Sequence, residues 1–293
     1  MTPISWLMFA LVLVAAWLIA GRTFARGPFF VLAAVVLLAL LAPLVSAFPP
    51  NAQLDVVALQ NHPPSLLHPL GTDLYSRDVW SRLVYGARIS LLVGALGMVV
   101  AVALGSLVGA AAGYWPGVVD GALMRVTDVG LAIPRIFVLL VLAAVWERLS
   151  LPVLILVIGL TSWFATSRLV RAEVMSLAER PFVAAARAQG VGSLRIVWRH
   201  VLPNAAAPIL VSAALGTGGV ILLESALSFL GYGVPAPLAS WGSMIADSRD
   251  HVRQAPWAAL APGLAIAIVV MACSALGDAL RGSLSGLRQN PEP

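Results

Sequence analysis

The chain has no lysine, and all 18 of its basic residues are arginine. A Walker A phosphate loop needs its lysine and a Schiff-base mechanism needs a side-chain amine, so both are excluded. The chain is therefore not a standard P-loop ATPase. Cysteine is almost as scarce: Cys273, alone in an apolar segment, leaves no intrachain disulfide, zinc site or redox pair. His62, His68, His200 and His251 are scattered, without metal-ligand spacing or a nucleophile motif beside them, which speaks against a membrane-embedded enzyme. Charge itself is thin. With 11% charged and 60% hydrophobic residues over 293 positions, the chain reads as an all-α, polytopic membrane protein. Its net charge of +5 comes from arginines spread among apolar segments with no dense basic run. That pattern fits a bias toward the cytoplasmic face of a bilayer and no nucleic-acid partner.

The apolar runs set the order of crossings. Ile4–Gly21 has no basic residue before it, unlike a secretory signal, and reads as an extra N-terminal helix, with a cleaved or peripheral segment as the alternative. Arg22 and Arg26 stay in the cytoplasm and Phe29–Phe48 crosses outward. Pro49–Arg88 is polar and proline-rich, with acidic and basic residues nearly balanced, as suits an extracytoplasmic segment. Five further crossings follow at Ile89–Gly113, Val129–Trp146, Leu151–Ser167, Ala205–Leu223 and Trp257–Gly277. The first of these carries Gly105 and Gly109, a spacing that lets helices pack backbone to backbone in lipid.

Two polar residues stand out against this background. Arg135 follows Pro134 inside a crossing, where facing lipid would cost roughly 2.5–3.5 kcal/mol. It either lines the cytoplasmic end of a substrate path or snorkels as a structural residue. Glu224 closes the Ala205–Leu223 run beside Ser225 and Ser228, as a substrate contact or as a helix-end group bonded to neighbouring backbone.

The stretch 180–204, RPFVAAARAQGVGSLRIVWRHVLPN, lies between two crossings yet is polar enough to sit in water. Six arginines fall between positions 168 and 199 against Glu173 and Glu179, so this loop should face the cytoplasm. Pro181 suits a first helical position, the alanines at 184, 185, 186 and 188 favour helix, and Gly190 suits a left-handed cap. The expectation is a short helix, a turn at Gly190, and a second helix ending before Pro203. Small alanines let another backbone approach, and Arg187 can find a carboxylate.

Ala185, Ala186, Arg187, Ala188, Gly190, Leu202, Pro203 and Asn204 resemble the cytoplasmic coupling loop of permease subunits in binding-protein-dependent ABC importers. Ala184 stands where that family often has glutamate. Gly71 to Ser90 and Glu224 to Gly242 are similar to stretches of its dipeptide, oligopeptide and nickel subgroup, which commonly has glycine in place of Ser76. The resemblance implies residues 1–28 as an added helix and turn, 29–88 as the first family-type crossing with its extracytoplasmic segment, 89–284 as the core transmembrane domain, and 285–293 as a polar tail. It implies six family-type crossings in a bacterial or archaeal inner membrane. The partners implied are a second homologous permease subunit, two ABC ATPase subunits and an extracytoplasmic solute-binding protein. No cofactor is expected in this chain, because ATP and Mg would be bound by the ATPase subunits. The coupling residues would be Pro181, Ala184, Ala185, Ala186, Arg187, Ala188, Gly190 and Pro203. An ion-coupled secondary transporter would call for mid-membrane carboxylates in two matching halves, which the sequence does not show. A membrane-embedded scaffold is the other alternative.

Overall fold

The computed structural model describes residues 26–146 and 149–289, and every regular element among them is helical. The extra helix expected at 4–21 lies outside the described residues. Helix α1, Arg26–Leu40, stops short of the expected Phe48 and is followed by one turn, α2 at Ala42–Val45, with Pro43 in its first turn. Helix α3 begins at Val79 and not at Ile89, because Asp78 caps it: its carboxylate accepts from the Ser81 N–H at 2.8 Å and the Ser81 hydroxyl at 2.7 Å. Running Val79–Tyr114, α3 has 36 residues. At about 54 Å it is far longer than a hydrocarbon core of about 30 Å.

The next two crossings are broken. α4, Val118–Ala132, meets α5, Arg135–Val145, at an 83° bend. Pro134 supplies the cause, since it lacks an N–H and forces Ile133 into an extended conformation. α6, Leu151–Leu160, meets α7, Trp163–Ala178, at 43°. There the Thr161 and Ser162 hydroxyls donate back to the carbonyls of Val157 and Ile158, a local competition that bends helices. α8, Pro181–Ala188, follows. Then come α9, Ser193–Ile196, a π-helical turn at Val197–Val201, and α10, Leu202–Asn204. The second helix of the loop thus runs through Pro203 instead of ending before it. In the widened turn Leu202 N–H donates to Val197, giving the proline ring room. α11 is Ala206–Phe229, α12 is Trp241–Ser248 and α13 is Pro256–Gln289.

Among the described residues α3, α11 and α13 are each long and apolar enough to cross a membrane, and counting each bent pair as one span gives five. The sixth expected crossing is the shorter apolar helix α1. α3 threads three buried cores in turn. Its first half packs with α1, α11, α12 and α13 around Leu91, Ile221 and Trp241. Its middle packs with α5, α6 and α11 around Val93, Leu139 and Ile158. Its last turn packs with α7 and α8 around Tyr114, Val174 and Val183. Gly105, Gly109 and Gly113 line one side of α3, where a Cβ would meet Thr166, Ser167, Val170 or Arg171 of α7 at 2.5–2.7 Å. The two helices touch through backbone, as the glycine spacing anticipates.

Candidate functional site

Residues 180–204 close one end of the bundle. Pro181 opens α8, where its missing N–H has no partner to lose. Gly190 ends it at φ +76, with Val191 N–H donating to Ala186 at 3.1 Å and Gly190 N–H to Arg187 at 3.0 Å. Those paired bonds form a Schellman cap, which favours glycine at that position. Val183 and Ala186 are buried against Val170, Val174 and Val201. Pro181, Phe182, Ala184, Ala185, Ala188 and Gly190 are exposed on the other side, and so is Pro203 further on. Arg187 does not reach out for a carboxylate of its own chain. Its guanidinium lies 5.1 Å from the Tyr114 ring centre, and Nε donates to the Tyr114 hydroxyl at 3.3 Å. Tyr114 is the last residue of α3, so α8 is fastened to that helix as well as to α7, from which it directly follows.

The two helix breaks lie together. Arg135 Nη1 donates to Ser162 Oγ at 3.0 Å, joining the start of α5 to the hinge between α6 and α7. α5 has 11 residues and α6 has 10. That is about 15 Å of rise each, so each break lies about half the thickness of a hydrocarbon core from the far end of its helix. Leu131, Ile133, Arg135 and Phe137 are exposed around the bend. Irregular backbone and an arginine at such depth need water or protein over them, not lipid.

Glu224 is not at the end of its helix. It lies inside α11 and is fully buried. One carboxylate oxygen accepts from Ser228 Oγ at 2.6 Å and Ser240 Oγ at 2.8 Å, and the other from Ser225 Oγ at 3.5 Å. Its partners are hydroxyls, where a helix-end carboxylate would bond backbone. Ser240 also caps α12 in a reciprocal pair with Ser243, and Trp241 N–H donates to Ser90 Oγ of α3 at 3.0 Å. Farther out, Arg77 and Arg82 both donate to Asp247 Oδ2, at 2.7 and 3.0 Å, while Arg77 Nε donates to Asp73 at 2.6 Å. These contacts bind the start of α3 to α11 and α12 at the end opposite the 180–204 loop.

The protein family described as binding-protein-dependent transport system inner membrane component matches residues 89–286. The chain belongs to this family. It is a multi-pass inner-membrane permease component of an ABC importer, as the resemblance of the 180–204 and 224–242 stretches implies. The chain is 39% identical over 254 residues to the dipeptide transport system permease protein DppC of Alkalihalophilus pseudofirmus, covering 87% of this chain and 83% of the relative. It is 38% identical over 272 residues to the di/tripeptide transport system permease protein DppC of Pseudomonas aeruginosa, covering 91% and 89%.

Several partners in this permease are not evident from the sequence. Tyr114 beneath Arg187, Ser162 beside Arg135 and Asp247 between Arg77 and Arg82 are all distant in the chain. Two local signals point part of the way. Thr161-Ser162 interrupts an apolar run, and Ser240-x-x-Ser243 spans a helix start. Arg168 and Arg171 pair with Asp128 at 2.5 Å and with Asp120 at 2.5 Å, tying α7 to α4.

Proposed function

We propose that this permease forms half of a translocation pathway for peptides or related small solutes and is driven through α8 by two separate ABC ATPase subunits. A second, homologous permease subunit supplies the other half. An extracytoplasmic solute-binding protein delivers the cargo. ATP and Mg are bound by the ATPase subunits, and this chain performs no covalent chemistry. The dipeptide and di/tripeptide names of the relatives support peptide cargo.

The observation that carries this reading is the build of α8. One side is buried on a valine core, the end is locked by a Schellman cap, and the outward side offers Ala184, Ala185 and Ala188 to a groove in another protein. Such a peg transmits displacement as a rigid body. When the ATPase groove moves, α8 carries α7 with it, and the glycine contacts of α7 with α3 keep the two helices in register. The motion arrives at the Thr161–Ser162 hinge, where Arg135 is held. Arg135 and its neighbours at the breaks line the pathway, and Glu224 acts from behind it by fixing α12 through Ser240.

Substituting an outward alanine tests the reading without disturbing the core. In the purified complex, Ala185→Trp should release the ATPase subunit docked on α8 while the permease keeps its thermal stability. Retention of both ATPase subunits on Ala185→Trp would refute docking at α8.

A further inference from the structure

We propose that Arg135 receives a carboxylate of the cargo during transit. Arg77, Arg82, Arg168 and Arg171 each have a carboxylate within 4.0 Å. Arg88 donates to the backbone carbonyls of Ala39 and Leu40. Arg135 differs from all of these. Among the described residues no carboxylate lies within ion-pair distance of it, and its hydrogen bond goes to the neutral hydroxyl of Ser162. Ser162 spends its own proton on the Ile158 carbonyl at 2.5 Å, so its lone pairs are free to hold the guanidinium. The side chain is thereby positioned while its charge remains uncancelled.

An arginine at mid-depth without a counter-ion needs water over it, and in a wet pathway it is open to a visiting anion. The remaining guanidinium nitrogens present a planar fork that matches a carboxylate. Every unmodified peptide carries a C-terminal carboxylate whatever its sequence, so this contact serves peptides broadly and disfavours cationic solutes. The proposal rests on the reading that Arg135 lines the pathway.

Two measurements on the complete transporter in proteoliposomes separate these ideas. Ile133, exposed beside Arg135, is replaced by cysteine in a Cys273→Ala background, which removes the chain's only other thiol. Labelling by an anionic and by a cationic methanethiosulfonate is then compared with and without Arg135→Gln. The anionic reagent should react faster, and Arg135→Gln should abolish the preference. No labelling by either reagent overturns the pathway reading and the proposal with it. Labelling without any charge preference leaves the pathway reading intact and overturns the carboxylate contact.

The second measurement is ATP-driven uptake of di- to pentapeptides of alanine. Uptake should fall about tenfold in Arg135→Gln, the order lost with one charge-assisted hydrogen bond, and recover partly in Arg135→Lys. Uptake undiminished in Arg135→Gln, or absent in the unsubstituted transporter, overturns the proposal.

Discussion

Replacing Gly109 by alanine probes the contact on which the transmission of force depends. A methyl group there would lie 2.5 Å from the Ser167 carbonyl oxygen, 2.7 Å from Val170 Cβ and 3.0 Å from the Arg171 nitrogen, whereas ordinary contact begins near 3.4 Å. Two of those atoms are backbone, so no rotamer change relieves the clash. α3 and α7 must part by about 1 Å, and overpacking of this kind costs about 1–3 kcal/mol. The better helix propensity of alanine returns up to about 1 kcal/mol, leaving a net loss of up to about 2 kcal/mol. Gly121 on α4 is the matched control, because a Cβ there meets nothing within 4 Å. Thermal unfolding of the complex in nanodiscs should show Gly109→Ala less stable than the parent, with Gly121→Ala equal to it or above it. Uptake per ATP hydrolysed should also fall in Gly109→Ala, since α8 then moves without carrying α3. Equal stability of the two variants would refute backbone-to-backbone packing of α3 on α7.

Ser76→Gly should stabilise the permease by about 1 kcal/mol, read as a rise in unfolding temperature, because Ser76 sits at φ +57 and is buried with its hydroxyl unpartnered. A loss of stability would mean that its side chain contributes more than the backbone strain costs. Asp247→Ala should destabilise by about 3 kcal/mol, because it strips two arginines of one shared acceptor and leaves Arg82, 4% exposed, with only Asp73 at 3.9 Å. Salt should reduce that loss only in part, because both arginines are largely enclosed while the Asp247 side chain is 34% exposed. A fully salt-sensitive effect would place the network in open water.

Much of the fold is legible from apolar run length and from residues that act locally. Pro181 and Gly190 mark the ends of α8, and the 105–109 glycine spacing anticipates the contact with α7, because caps and close approach follow from residue type alone. Ser76, where the subgroup commonly carries glycine, proves to hold a left-handed backbone. The start of α3 is misplaced because an aspartate cap and two arginines look like loop until Asp73 and Asp247 are seen to neutralise them. The bends at Pro134 and Ser162 are hidden for another reason. Pro134 marks a break and the Thr161 and Ser162 hydroxyls allow one, but residue type does not give its size, here 83° and 43°. Glu224 is the hardest case, since one of the three hydroxyls around it comes from Ser240, beyond the end of its own helix.

The most direct measurement is of where α8 lies and what covers it. With Ala185→Cys in the Cys273→Ala background, a membrane-impermeant thiol reagent should label the permease only from the cytoplasmic side. Bound ATPase subunits should block that labelling, and a bifunctional reagent should link the introduced thiol to one of them. Labelling of that thiol from the extracytoplasmic side, or at an unchanged rate when the ATPase subunits are present, would contradict the account.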